Sequence, residues 1–147
     1  MTAESLNEQI NKLMPQNLDD IVRINRDKLR LALATDEERK SLESVISETP
    51  VRHTLTHWQI LMLHATDNGL QKTSPRLIGR LQESGEPWIT SNVTGIDVSK
   101  GLVQTANSTY QIDGTPANEE DIDLMHICAS LHLWGLGQFF GVPHIFY

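Results

Sequence analysis

Residues 87–113 read PWITSNVTGIDVSKGLVQTANSTYQID. The stretch is rich in Ile, Val, Thr, Trp and Tyr, side chains that suit a pleated, half-buried surface. Turn residues divide it, and they predict three strands at 88–97, 102–106 and 109–113. Val98-Ser99-Lys100-Gly101 has the form of a four-residue hairpin loop in which glycine supplies a positive φ. Asn107-Ser108 suits a tighter second turn, and Gly114-Thr115-Pro116 closes the region. The expectation is a small antiparallel β-meander over residues 88–113.

Working outward to the N-terminal side, apolar residues fall at helical spacing. Ser5–Glu8 and Thr35–Glu38 have the form of capping boxes, and Asn17 can cap a helix between them. Leu18, Ile21, Val22, Leu29, Ala32 and Leu33 then share one stripe of that helix. After the break at Thr49-Pro50, Thr56-His57-Trp58-Gln59 reads as another helix start. Asn68-Gly69 reads as its stop. Ser74-Pro75, a cap residue before proline, opens a helix ending near Ser84-Gly85. On the C-terminal side, Asn118 caps a helix over about 119–134 that is apolar almost all round from Ile122, as expected of a central core helix. The predicted fold is therefore α+β: five or six helices, one meander at 88–113 and a buried C-terminal helix. A single domain spans 1–147, mainly helical over 1–86, with the core helix and an aromatic segment over 118–147.

The net charge of −7 is uneven. Residues 1–51 carry −3, residues 52–100 carry +1, and residues 101–147, which contain no Lys or Arg, carry −5. A general basic footprint for nucleic acid is missing. The longest apolar run, Ile60–Leu63, is far short of the roughly 20 residues of a membrane helix, so no membrane partner is expected. The N-terminus lacks the basic and apolar regions of a secretion signal. Cys128, the one cysteine, excludes an internal disulfide, and the expected location is the cytoplasm.

Catalytic and metal readings find little support. His53, His57 and His64 would share a face only on one continuous helix, and the helix start at Thr56 breaks it. Asp123 and His126 have the spacing of helical-bundle metal sites, but such sites need a second pair. Cys128 lies in an apolar run with no cation to lower its pKa. The sequence nominates no enzyme activity and no cofactor.

Binding surfaces are better represented. Five of eight aromatic residues, Trp134, Phe139, Phe140, Phe146 and Tyr147, fall in the last 14 positions. Apolar surface of that kind either packs on its own core or meets a partner. Glu119, Glu120 and Asp121 complement a helix N-terminus and offer a docking patch for a basic partner. The expected function is a small non-enzymatic protein-binding module, of adaptor, inhibitor or immunity type, with a protein partner or self-association as a dimer. The expected contacts are Phe139, Phe140, Phe146, Tyr147 and the three acids.

The order of helix 57–67, helix 75–84 and hairpin 88–106 also resembles a winged helix-turn-helix domain. That resemblance implies a DNA-binding regulator whose second helix enters the major groove while the wing touches the backbone. It would make Arg76 and Arg80 groove-facing, with Lys72, Ser74 and wing-tip Lys100 near phosphates.

Overall fold

A computed structural model describes residues 18–47, 49–67, 69–116, 124–134 and 140. The meander is present but is half of something larger. Six strands, β1 (Leu29–Leu33), β2 (Thr54–Asp67), β3 (Leu70–Leu81), β4 (Pro87–Asp97), β5 (Leu102–Thr105) and β6 (Thr109–Ile112), form one sheet in sequence order. Neighbours are antiparallel, and β6 returns to pair in parallel with β2 through Thr54↔Gln111 and Leu55↔Ile112. Strands β2 to β6 thus close into a barrel. Closure pairs the edges that an open β2–β6 sheet would present, while β1 keeps one free edge. The helices among the described residues are short: α1 (Leu18–Ile21), α2 (Asp36–Ser41) and α3 (Leu124–Leu133).

This overturns the expectation of five or six helices. Residues 57–67 and 75–84, expected as a pair of helices, lie largely in β2 and β3, so the winged-helix arrangement does not exist. The physical reason lies in burial on both faces. Ile60 and Met62 point into the barrel with Trp58, Leu77, Val93, Ile96 and Val103. Leu61 and Leu63 point outward, against Ile21, Val22, Ile127, Leu131 and Phe140. A strand buried on both sides is an unbroken apolar run, which periodicity cannot tell from a buried helix. Gly69, expected at a helix stop, accordingly lies in the β2–β3 hairpin turn at φ +80°, with Asp67↔Leu70 as the last pair; Asn68 lies outside the described residues. Pro75 sits in β3 beyond its last β4 partner, Arg76↔Asn92, the edge position in which sheets tolerate proline.

The stripe assigned to a long second helix divides likewise. Leu18–Ile21 is one helical turn, Asn25 takes a left-handed φ of +57°, and Leu29–Leu33 is a strand on β2. The final helix is not central either. Ile127, Cys128 and Leu131 are buried on the outer face of the barrel, whereas Leu133 is 81% exposed. Phe140 belongs to the same outer core, and its carbonyl accepts from the N–H groups of Arg23 (2.7 Å) and Ile24 (3.3 Å). Helices α1 and α3 therefore roof the apolar outer face of β1, β2 and β3, where each fully covered Leu or Ile contributes roughly 1.5–3 kcal/mol.

Candidate binding site

Three features offer themselves to a ligand, and the fold builds each from distant parts of the chain. The first is a groove of about 340 Å³ between α2 and one end of the barrel. Trp58, Ile96, Val98 and Ile112 give it an apolar lining; Asp36, Arg39, Lys40 and Glu43 stand along the α2 side. Trp58 is 5% exposed, and its Nε1 donates to the Gly114 carbonyl at 3.0 Å, which fixes the indole. Val98, at the β4–β5 turn, is 67% exposed at the mouth of the groove. The α2 side is just as firmly set. Thr35 and Glu38 form a complete capping box, the one helix start read from sequence that is present in full among the described residues. Arg39 pairs with Asp36 and donates to the Ala34 carbonyl at 3.0 Å.

Beyond α2, the chain is strapped to β4. The Ile96 N–H donates to Leu42 O and its carbonyl accepts from Ser44 N–H, both at 2.8 Å. Asp97 completes the strap. Its carboxylate accepts from the Ile46 N–H at 3.0 Å and from the Ser99 hydroxyl at 2.8 Å. These bonds, the Ile46 N–H first and Ser99 next, hold the Asp97 pKa below its ordinary value, against a smaller opposing effect of burial.

The second feature is a slot with room for about one water (about 10 Å³), lined by His57, Gln59, Arg80, Trp88 and His126 among others. It lies at a β-bulge: His57 and Trp58 both face Gly79, between the pairs Thr56↔Arg80 and Gln59↔Ile78. His57 is held at φ +50°, a left-handed conformation that disfavours side-chain-bearing residues. Next to the slot His53 meets Trp88 edge-on at 4.8 Å, and Arg52 lies over the same indole at 5.5 Å. No group of three or more His, Cys, Asp or Glu among the described residues is arranged to hold a metal ion.

The third feature is a cleft of about 330 Å³ at the free end of the β1–β2–β3 ribbon, lined by Arg26, Lys28, Arg30, His64 and Lys72 with Asp27.

The residues singled out from sequence fall as follows. Phe139, Phe146, Tyr147, Glu119, Glu120 and Asp121 lie outside the described residues, whereas Phe140 is a core side chain. Lys72, Ser74, Arg76 and Arg80 are on strand β3 instead of a recognition helix. Ser74 donates to Asn92 Oδ1 at 2.8 Å and accepts from Arg76 Nε at 3.1 Å. The Arg76 guanidinium lies 4.2 Å from the centre of the Trp134 ring, and burial lowers its pKa. Arg80 donates to Gly85 O at 3.1 Å, and Lys100 donates to Ile46 O at 2.7 Å. Three of the cations expected at DNA, the groove-facing Arg76 and Arg80 and the wing-tip Lys100, thus make contacts within the fold, and Lys72 stands in the third cleft. The groove residues went unnoticed in the sequence; the available signal was Val98, apolar where a hairpin loop is expected to be polar.

No protein-family model, curated protein or solved structure matches the chain. No helix among the described residues is long and apolar enough to cross a membrane.

Proposed function

We propose that the chain is a non-enzymatic protein-binding module whose contact surface is the groove between α2 and the barrel end. The carrying observation is the exposed Val98 side chain beside an apolar lining of Trp58, Ile96 and Ile112, with charges along the α2 side. An apolar centre bordered by polar groups is the anatomy of a protein interface. The fitting occupant is a partner segment that inserts one or two apolar side chains and sets its own charges against Lys40 and Glu43. A cytoplasmic location belongs to the same proposal, supported by the single buried thiol of Cys128.

The test compares wild type with Val98→Glu in affinity capture from the source cells. A stoichiometric partner retained by wild type should bind the variant at least about tenfold more weakly, or about 1.4 kcal/mol. The thermal midpoint should be unchanged, because Val98 contributes little to the core. Equal capture of the same partner by both proteins, or no stoichiometric partner and a strictly monomeric wild type, would overturn the proposal.

A further inference from the structure

Strand β1 is the open side of the sheet: β2 lies along one edge of it, and no described strand lies along the other. The ladder shows which of its backbone groups are left over. Ala34 N–H donates to Ile60 O and Thr66 N–H donates to Lys28 O, so the even-numbered residues of this stretch bond to β2. Alternation then turns the N–H and C=O groups of Leu29, Leu31 and Leu33 away from β2. The Leu29 N–H closes the preceding turn on Asn25 O at 2.7 Å. The N–H groups of Leu31 and Leu33, and the carbonyls of all three leucines, have no backbone partner among the described residues.

Open edges usually carry a device against pairing with another chain: a charge, a proline or a bulge. Residues 70–75 of β3, beyond its last β4 pair at Arg76↔Asn92, have Lys72 and Pro75. Strand β1 is guarded far less. It reads Leu-Arg-Leu-Ala-Leu, keeps an unbroken register on β2, and has Arg30 as its single charge. Leu31 is 2% exposed beneath the helical roof, while Leu29 and Leu33 flank it half-buried.

We infer that the β1 edge is a homodimer interface, to which β1 of a second copy adds antiparallel about a two-fold axis at Leu31. The strand is complementary to itself in that register. Leu31 exchanges N–H to C=O bonds with Leu31 of the partner subunit, and the Leu33 N–H donates to the carbonyl of Leu29 of the partner subunit. The engaged Leu29 N–H is not required. On the roofed face the half-buried leucines meet, Leu29 against Leu33 of the partner subunit; on the other face Arg30 meets Ala32 of the partner subunit. Moving the axis to Arg30 would set two guanidinium groups directly opposite each other. The flanks agree in sign. Residues 26–30 hold Arg26, Lys28 and Arg30 against Asp27, net +2, and residues 35–40 hold Asp36, Glu37 and Glu38 against Arg39 and Lys40, net −1. Antiparallel addition brings the basic flank of each copy beside the acidic flank of the other, whereas parallel addition brings like beside like. Charges elsewhere in the chain are screened beyond about 8 Å at physiological salt, so the flanks outweigh the overall −7 of each copy. A second copy brings all of this complementarity with it.

Strand β1 lends no residue to the groove assigned to a protein partner, so the two readings fail separately, and Val98→Glu should leave the dimer intact. The experiment is sedimentation of the full chain over a range of concentrations, with amide hydrogen exchange on the same samples. A monomer–dimer equilibrium is expected, with no larger species, because an isologous contact closes on itself. The Leu31 and Leu33 amides should gain protection as the dimer forms. Leu33→Pro deletes a donor that bonds nothing among the described residues and should weaken the dimer at least about tenfold. Where that variant does not fold, Ala32 gives an independent reading through Arg30 of the partner subunit. Ala32→Arg should weaken the dimer about tenfold, while Ala32→Glu should dimerise at least as tightly as wild type. The inference is overturned by a strictly monomeric chain at about 1 mM, or by a dimer whose Leu31 and Leu33 amides exchange freely. It is overturned also by a folded Leu33→Pro that dimerises like wild type, or by equal weakening in the two Ala32 variants.

Discussion

His57 and Gly79 face each other across the bulge, and each explains the other. A Cβ on Gly79 would lie 2.9 Å from Thr56 O and 3.2 Å from the Trp58 Cα, both backbone atoms of the bulged strand. Gly79→Ala should therefore destabilise the fold by about 1–3 kcal/mol, the range for forced overpacking, as measured by urea denaturation. His57→Gly should act oppositely. Releasing a side chain from a left-handed φ returns about 1 kcal/mol, more than the exposed 3.4 Å contact of His57 Nδ1 with Thr56 Oγ1 supplies, so this variant should unfold at higher urea. Asp97 gives a pH signature at the same scale. Its pKa is lowered in the folded state, so its contribution is complete above its ordinary value of 3.8 and is lost as pH falls through the depressed folded value. Asp97→Asn should flatten the stability profile below about pH 4. An unchanged acid slope would contradict the role given to the Ile46 and Ser99 bonds.

The secondary elements differ in how openly their sequences declare them. Strands β4, β5 and β6 were legible because many of their outward positions are polar and because Gly101 marks the hairpin; their bounds fall within one residue of those read from sequence. Strand β2 was not. Trp58, Leu61, Met62 and Ala65 satisfy a helical template as well as a strand buried on two faces, and Thr56–Gln59 imitates a helix cap. The decisive local signal is Asn68-Gly69, the strongest short-range mark of a tight hairpin, which equally fits a helix stop. Helix α2 was legible at its start, through Thr35 and Glu38, and it ends at Ser41. None of its residues is buried, so its cap carries unusual weight. Thr35→Ala should cost about 1 kcal/mol and speed hydrogen exchange at the first amides of α2 while leaving the barrel amides protected. Loss of protection throughout would mean that α2 is integral to the core.

At the scale of the whole molecule, closure is the feature that no local pattern announced. It depends on Thr54 and Leu55 meeting Gln111 and Ile112, more than fifty residues away. The groove is equally non-local, taking Trp58 from β2, Ile96 from β4, Ile112 from β6 and its charged side from α2. A reading confined to spacing within one segment cannot assemble either. Leu55 is fully buried at the seam, so Leu55→Ala should cost about 2–5 kcal/mol, measured by equilibrium denaturation. A cost below 1 kcal/mol would show that the β2–β6 pairing contributes little.

The contact between Arg76 and Trp134 has an optical consequence. The three indoles of the chain are fixed in different surroundings: Trp58 at the barrel end, Trp88 beneath Arg52, and Trp134 at the join between α3 and the sheet. A variant carrying Trp58→Phe and Trp88→Phe would leave Trp134 as the sole strong emitter. Its fluorescence would then register the guanidinium over its face, reporting whether the helical roof is seated on the barrel without any added label.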